Sequence, residues 1–416
     1  MEFGARIAML SSPELAASFA APGARRALAG FFLSGVLLAF VGAVLPSWGY
    51  HLESSYQTVG QYFLASSIGI LVSLRVAHVL MRFRGLRTIL VTGSAVGCGS
   101  LLYLAAVCPP APAWTRMIGV FLVGVSIGLL HAAIFHAISP MYRHDPGATI
   151  NLGGTLFGLG CLTVTLLISG TFYVYTVPSV LILLAVIPGW FTIFYARSKF
   201  AKPDLSGRRP IGEVLSDLRS PAALFFALLL FFQFGNEWTL AGWLPLFLVQ
   251  RLGISPEKSL LLLALFWLSL LVGRIVSQSI LRHVSHTWLL FCCAMGAFFG
   301  CVILSFTDNR FGAMMGILFI GGAFAPIYPL VVEKIGSRFP EYHPGFYNGI
   351  FSFAFVGGLM APCTLGWFAD VWDIRAVTIL PLFGTAMVLV LLLAIWVEAR
   401  LPTHGSTSEA EPAGPS

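Results

Sequence analysis

The chain contains twelve apolar runs, each about as long as a helix that crosses a lipid bilayer. One crossing needs about 20 predominantly apolar residues. The runs lie near 27–49, 58–80, 86–107, 115–139, 147–172, 176–196, 222–249, 258–281, 287–306, 311–332, 345–369 and 375–397. Only 10% of the residues are Asp, Glu, Lys or Arg, whereas a water-soluble surface needs about 25%. The sequence therefore predicts an all-α, polytopic membrane protein and excludes a soluble enzyme.

The runs form two groups of six, separated by the most hydrophilic internal segment. We predict an N-terminal six-helix bundle at 27–197, a cytoplasmic linker at 198–221 and a C-terminal six-helix bundle at 222–399. Residues 1–26 are predicted to form a cytoplasmic N-terminal segment. Residues 400–416 have the polar composition of a disordered cytoplasmic tail.

The distribution of basic residues predicts the orientation. With both termini inside, 19 of the 24 Lys and Arg residues fall in cytoplasmic segments, and this count assigns Arg274 to one of them. Basic residues concentrate in cytoplasmic loops, so we expect a multi-pass protein of the cell (inner) membrane with both termini in the cytoplasm. The net charge of +7 then reflects orientation in the bilayer, and no nucleic-acid partner is expected.

The two groups of six are copies of each other. The segment LVSLRVAHVLMR at 71–82 matches LVGRIVSQSILR at 271–282, an offset of 200 residues. HDPG at 144–147 matches YHPG at 342–345 at an offset of 198. Repeated matches at one period indicate internal duplication. Many secondary transporters are built from two such repeats around a site at the bilayer midplane.

Two signatures resemble those of the major facilitator superfamily (MFS). The segment MRFRGLR at 81–87 keeps Arg82, Gly85 and Arg87 of the family's loop signature but lacks its Asp, and Arg116 is followed by spaced glycines as in the family's fourth helix. The resemblance extends over essentially the whole chain and implies the twelve-helix MFS fold. It also implies gating roles for Arg82, Arg87 and Arg116, with Arg282 in the second copy.

An acidic residue lies in the middle of the seventh span. Glu237 sits in FFQFGNEWTLAGWLP, with apolar sequence on both sides. A charge at this depth costs about 2.5–3.5 kcal/mol, which marks it as a functional candidate. At about 100° per residue, Gln233, Asn236, Glu237 and Trp243 share one third of the helix circumference. We predict that this polar stripe faces a hydrated cavity and that Glu237 takes and releases a proton; the alternative is a Glu hydrogen-bonded to a neighbouring helix.

The seventh span also resembles one branch of the superfamily. It contains the pattern F-x-x-G-x-E followed by G-W, which is similar to that of the fucose/glucose:proton symporter-like branch. The residues of this pattern are Phe232, Gly235, Glu237, Gly242 and Trp243. The resemblance implies a sugar substrate and proton coupling. Amide and carboxylate groups bind hydroxyls, and aromatic rings stack on sugar faces. The first span contains no acid, whereas better-known members of that branch carry a carboxylate there.

Other polar residues in the spans are further candidates. His131 in the fourth span is either a proton relay, since histidine titrates near neutral pH, or a structural histidine. Arg116 is either a substrate or gate ligand or an arginine that snorkels to the interface. Tyr328 lies between two prolines, which predicts a broken stretch in the tenth span. Substrate-binding candidates that are equally compatible with helix packing are Asn151, Asn348 and Gln61.

Together these features predict a monomeric secondary active transporter, and not an enzyme. It would carry a small polar solute, a monosaccharide or polyol, with a proton or sodium ion across the lipid bilayer. The alternatives are a transporter of an organic anion that uses Arg116, and a non-transporting receptor. GVSIG at 124–128 matches a hydrolase motif, but Ser126 is in the middle of a predicted helix, where that motif cannot work. No phosphate loop, metal-ligand spacing or dinucleotide fingerprint occurs, so no cofactor and no metal are expected.

Overall fold

The prediction of twelve membrane-spanning helices is confirmed. The computed structural model describes residues 23–51, 55–144, 146–200, 217–281, 283–339 and 349–400. Among them, eleven helices are long and apolar enough to cross a membrane, and one of these contains two crossings. The first, α1, is Ala24–His51. The second helix, Tyr56–Ala106, is divided at Gly85 into arms that we call α2 and α3. The others are α4 (Ala113–His144), α5 (Pro146–Thr171), α6 (Val177–Ala196), α7 (Pro221–Leu252), α8 (Pro256–Ile280), α9 (His286–Phe306), α10 (Arg310–Arg338), α11 (Gly349–Trp372) and α12 (Ala376–Glu398).

The division at Gly85 is what makes two crossings from one helix. A straight helix of 51 residues would be about 75 Å long at 1.5 Å per residue, more than twice the hydrocarbon thickness. Gly85 has φ 73° and ψ 172°, a conformation open to glycine because it has no Cβ. The chain therefore turns between Arg84 and Leu86, inside the loop signature.

Local sequence explains where several helices begin and end. α7 and α8 start with a proline, whose missing N–H is not needed in the first turn. The side chain of Asn309 accepts a 2.8 Å hydrogen bond from the backbone N–H of Gly312 at the start of α10, a standard N-cap. Gly253 ends α7 in the left-handed region, with φ 60°.

The outer surface of the bundle is apolar. On α2, Leu64, Ile68, Leu71 and Val72 are each 45–48% exposed. A soluble protein rarely shows such a continuous apolar face, whereas lipid is an apolar solvent for it.

The helices form two halves, α1–α6 and α7–α12. The halves meet where α1 packs on α7, α2 on α11 and α5 on α8. In the sequence repeat, α2 is equivalent to α8 and α5 is equivalent to α11. The α2–α11 contact and the α5–α8 contact are therefore equivalent to each other. We call the end of the bundle where α1 begins and α12 ends the near end, and the opposite end the far end.

At the far end the halves are in close contact. A Cβ on Gly42 of α1 would lie 2.5 Å from the carbonyl oxygen of Ala241 in α7. A Cβ on Gly366 of α11 would lie 2.7 Å from the Cα of Gly60 in α2. Only glycine allows the helix backbones to come this close. The far end of the bundle is therefore closed between the halves.

Two sequence-based expectations are wrong. Arg274 does not lie in a cytoplasmic loop: it is inside α8, six residues before its end, and is 8% exposed. The tenth span is not broken either, since α10 runs from Arg310 to Arg338 with Pro326 and Pro329 inside it. Flanking helices pack against α10 on several sides and hold its backbone despite the missing N–H groups.

Some predictions concern residues that the structure does not describe. Residues 1–22, 201–216 and 401–416, which contain most of the predicted N-terminal segment, linker and tail, lie outside the described residues, as do Arg282 and Asn348. The predicted domain boundaries therefore remain predictions.

Candidate functional site

A cavity of about 140 Å³ lies between the two halves, from the middle of the bundle toward the near end. Helices α1, α4 and α5 of one half and α7, α8, α10 and α11 of the other contribute to its wall. Most of the wall is aromatic. The aromatic side chains are Phe31, Phe135, Phe157, Phe234, Trp238, Phe324, Tyr328, Phe351 and Phe355.

Glu237, Arg274 and His131 add polar groups to this wall, and Tyr328 adds the hydroxyl of an aromatic member. Glu237 and Arg274 are each 8% exposed and His131 is 6% exposed. Among the described residues that line the cavity, Glu237 is the acid and Arg274 is the permanently charged base. Elsewhere in the described ranges, no group of three or more His, Cys, Asp and Glu side chains is arranged to hold a metal ion.

Arg274 reaches from α8 across to the other half. Its guanidinium lies against Gly154 of α5, where a Cβ would overlap Nη1 and come within 2.7 Å of Cζ. The Nε and Nη1 atoms are buried and have no hydrogen-bond partner. Glu237 and Tyr328 line the same cavity. Burying a guanidinium with unpaired donors costs free energy, which makes Arg274 a candidate ligand-binding residue.

Glu237 lies at one edge of the predicted polar stripe, and only this edge reaches the cavity. Its partners in the cavity wall are Phe234 and Trp238, at i−3 and i+1 on α7. Gln233 is fully buried and does not line the cavity. Asn236 points to α12, where a Cβ on Gly384 would lie 2.7 Å from its Cγ.

Trp243, the aromatic end of the same stripe, also lies outside the cavity. Its indole N–H donates a 2.9 Å hydrogen bond to the carbonyl of Pro362 in α11, and its ring stacks on Phe63 at 5.8 Å. The side chain joins α7 to both α2 and α11. It is part of the contact between the halves on the far-end side of the cavity.

His131 and Tyr328 pack against aromatic residues of the cavity wall. The ring of His131 is 6.4 Å from that of Phe31, and the ring of Tyr328 is 4.9 Å from that of Phe234. Pro329 has no backbone N–H and so cannot donate to the carbonyl of Ala325, one turn earlier in α10. Because Ala325 lines the cavity, its carbonyl adds a backbone hydrogen-bond acceptor to this wall.

Arg116 lies apart from the cavity, near the far end. Its Nε donates to the hydroxyl of Tyr62 at 3.0 Å and its Nη1 to the carbonyl of Ala111 at 2.6 Å. The guanidinium is also 5.7 Å from the ring centroid of Trp48. All these partners belong to the N-terminal half.

The other described candidates also lie away from the cavity. Asn151 is half-buried in α5, and Gln61 is exposed on α2. Arg82 is exposed at the near end, where Arg87 donates a hydrogen bond to the carbonyl of Ala196 at the end of α6.

The sequence indicates that Arg274 lies inside a helix, but the count of basic residues in cytoplasmic segments did not take this into account. Arg274 lies eight residues before Arg282 and is flanked by Gly273 and Ile275, which puts it about 12 Å deeper along the helix. The aromatic wall had no comparable signal, because its members are scattered among 35 Phe residues.

Comparison with known proteins decides the family. The sequence model of the Major Facilitator Superfamily matches residues 27–362. The chain belongs to the Major Facilitator Superfamily. It is therefore a multi-pass membrane transporter and not an enzyme.

Several members of the superfamily are similar in sequence. An uncharacterised MFS-type transporter of Yersinia pestis is 21% identical over 90% of this chain and 94% of its own length. The glucose/mannose transporter GlcP of Bacillus subtilis (strain 168) is 24% identical over 59% of this chain and 64% of its own length.

Solved structures share the fold. The fucose:proton symporter FucP of E. coli has a TM-score of 0.62 at 16% identity, covering 89% of this chain and 98% of that one. A D-xylose–proton symporter has a TM-score of 0.67, also at 16% identity, covering 90% of this chain and 96% of that one. This likeness concerns the MFS fold.

Proposed function

We propose that this transporter carries a sugar together with a proton, and that both bind in the central cavity. The observation that carries the proposal is Glu237, a carboxylate buried in the middle of α7 that reaches the cavity wall between two aromatic residues. A proton site and a ring-binding site then share one space, so that binding at one can affect binding at the other.

The wall is suited to a sugar. Aromatic faces such as those of Phe157, Trp238 and Phe355 bind the C–H faces of a pyranose ring. The Tyr328 hydroxyl, the His131 imidazole and the Glu237 carboxylate supply acceptors and donors for its hydroxyl groups. The similarity in sequence to a glucose/mannose transporter supports the same substrate class.

Glu237 is suited to carry the proton. The residue is 8% exposed, so its carboxylate gains from neutralisation when the cavity is closed to water. When the cavity opens to an aqueous side, water stabilises the ionised form and the proton can leave. Protonation thereby becomes linked to the state of the transporter.

Alternating access follows from the duplicated architecture. The far-end contact through Gly42, Gly60 and Gly366 would open while the near-end side of the cavity closes. The paired contacts α2–α11 and α5–α8 are the places where the halves would slide.

The proposal is tested with purified protein in liposomes. A thermal-shift panel of glucose, mannose, fucose, xylose, gluconate and glucuronate first selects the compound that stabilises the folded state most. We expect Glu237→Gln to abolish accumulation of that compound in a pH gradient while leaving exchange of labelled for unlabelled compound. Glu257→Gln, in the first turn of α8 and outside the cavity, is the matched control and should accumulate normally.

Accumulation at the wild-type level in Glu237→Gln would show that Glu237 does not couple the proton. Binding without any flux in the wild type would instead favour a receptor. Absence of binding by every sugar in the panel would exclude the sugar class.

A further inference from the structure

Arg274 is the feature of the cavity that a neutral sugar leaves unexplained. It is 92% buried, because only 8% of it is exposed, and it lines the cavity. Its Nε and Nη1 atoms have no hydrogen-bond partner. A membrane protein does not bury a guanidinium with unused donors unless its partner comes from elsewhere.

The surroundings of Arg274 keep it available. Gly154 on α5 leaves the space that the guanidinium occupies, and this residue lines the same cavity. Glu237 lines the same cavity, yet neither Nε nor Nη1 of Arg274 bonds to its carboxylate. The opposite charges of the two side chains therefore share one cavity while these two donors of the arginine stay unpaired.

The chemistry of these donors favours a carboxylate. A guanidinium binds a carboxylate through two parallel, charge-assisted hydrogen bonds, in which Nη2 acts together with either Nη1 or Nε. Such bonds are about twice as strong as those to neutral acceptors, so a sugar hydroxyl is a poorer partner. The aromatic wall at Phe157 and Trp238 remains free for the ring of the same molecule.

We infer that Arg274 binds the carboxylate of an acidic sugar, so that the transporter's substrate class is a sugar acid such as a hexuronate or hexonate. This inference rests on the proposed function. The charges support it, since bound anion, charged Arg274 and protonated Glu237 sum to zero. The bound anion neutralises the charge of Arg274 in place of the ionised Glu237. The proton that enters with the anion resides on Glu237.

The test compares ligands that differ in charge but little in shape. Binding of glucuronate, the uncharged methyl ester of glucuronate, and glucose is measured with the purified wild-type protein by titration. We expect glucuronate to bind at least about tenfold more tightly than its methyl ester or glucose. In Arg274→Gln the ratio of glucuronate to ester affinity should fall to about one, and Arg274→Lys should restore part of it. Arg251→Gln, which changes a partly exposed arginine paired with Asp308 outside the cavity, should keep the wild-type ratio.

Each other outcome overturns the inference in a recognisable way. If the ester or glucose binds as tightly as glucuronate, Arg274 is not a carboxylate ligand, and sugar transport still stands. If lactate and succinate bind as tightly as glucuronate, the substrate is a simple organic anion and the sugar assignment fails. If no sugar binds, neutral or acidic, the inference and the proposed function both fail. The comparison of acid with ester uses the wild type alone, so it holds even if an Arg274 variant does not fold.

Discussion

Two buried arginines, Arg116 and Arg274, differ in how their hydrogen-bond donors are used. They are 3% and 8% exposed, and each lies inside a membrane-spanning helix. Arg116 donates to Tyr62 and to the carbonyl of Ala111, within its own half. Arg274 crosses to the other half and leaves Nε and Nη1 unpartnered beside a cavity. Burial therefore does not distinguish the two arginines, whereas the partners of their hydrogen-bond donors do.

The comparison predicts its largest effect on stability at Arg116. Arg116→Leu removes two hydrogen bonds from a charged donor, each worth about 1.5–3 kcal/mol, so we expect the free energy of unfolding in detergent to fall by about 3–6 kcal/mol. Arg251→Leu, in an exposed ion pair, should change it by less than about 1 kcal/mol. Protein that does fold should keep the wild-type preference among sugars. A stable Arg116→Leu protein with altered preference would give Arg116 the role we assign to Arg274.

The space beside Arg274 should matter for binding more than for folding. Gly154→Ala introduces a Cβ that overlaps Nη1, so the guanidinium has to move away from the ligand. We expect affinity for the preferred sugar to fall about tenfold, or about 1.4 kcal/mol, in an equilibrium titration. Gly170→Ala, in the same helix with open space around it, is the control. Equal affinity in Gly154→Ala and wild type would show that the position of Arg274 is not set by this contact.

We expect the smallest effect on stability from a substitution of Trp243. Its indole N–H has a hydrogen-bond partner, as do the donors of Arg116. Trp243→Phe removes one hydrogen bond to the carbonyl of Pro362 and should lower the free energy of unfolding by about 1 kcal/mol. Because the ring lies outside the cavity, the affinity for sugar should not change. A drop in affinity with unchanged thermal stability would place Trp243 in contact with the substrate after all.

The seventh span shows how far local pattern predicts a site. Helical periodicity correctly grouped Gln233, Asn236, Glu237 and Trp243 on one side of α7, since the geometry of the helix alone decides this. It did not decide which neighbour that side meets. Only the Glu237 edge lines the cavity, while Asn236 faces Gly384 of α12.

The internal repeat predicted which helices are equivalent, whereas the count of basic residues misplaced Arg274. The repeat predicted that α2 and α8 are equivalent, and the structure pairs them with α11 and α5 in the same way. The charge count treated every arginine near a helix end alike and so assigned Arg274 to a loop. The depth of Arg274 along the helix distinguishes it from Arg282. The residues that Arg274 contacts do not follow from the sequence.

The sequence by itself determined that this chain crosses a bilayer twelve times, where each crossing lies and that one acid is buried mid-span. These properties follow from the length of apolar runs and from helical geometry, which are local. Only the tertiary structure decided that Gly154 and Arg274, 120 residues apart, meet at the cavity, and that Arg116 does not reach it. Whether a buried donor is satisfied depends on atoms contributed by distant segments, and packing alone brings those together.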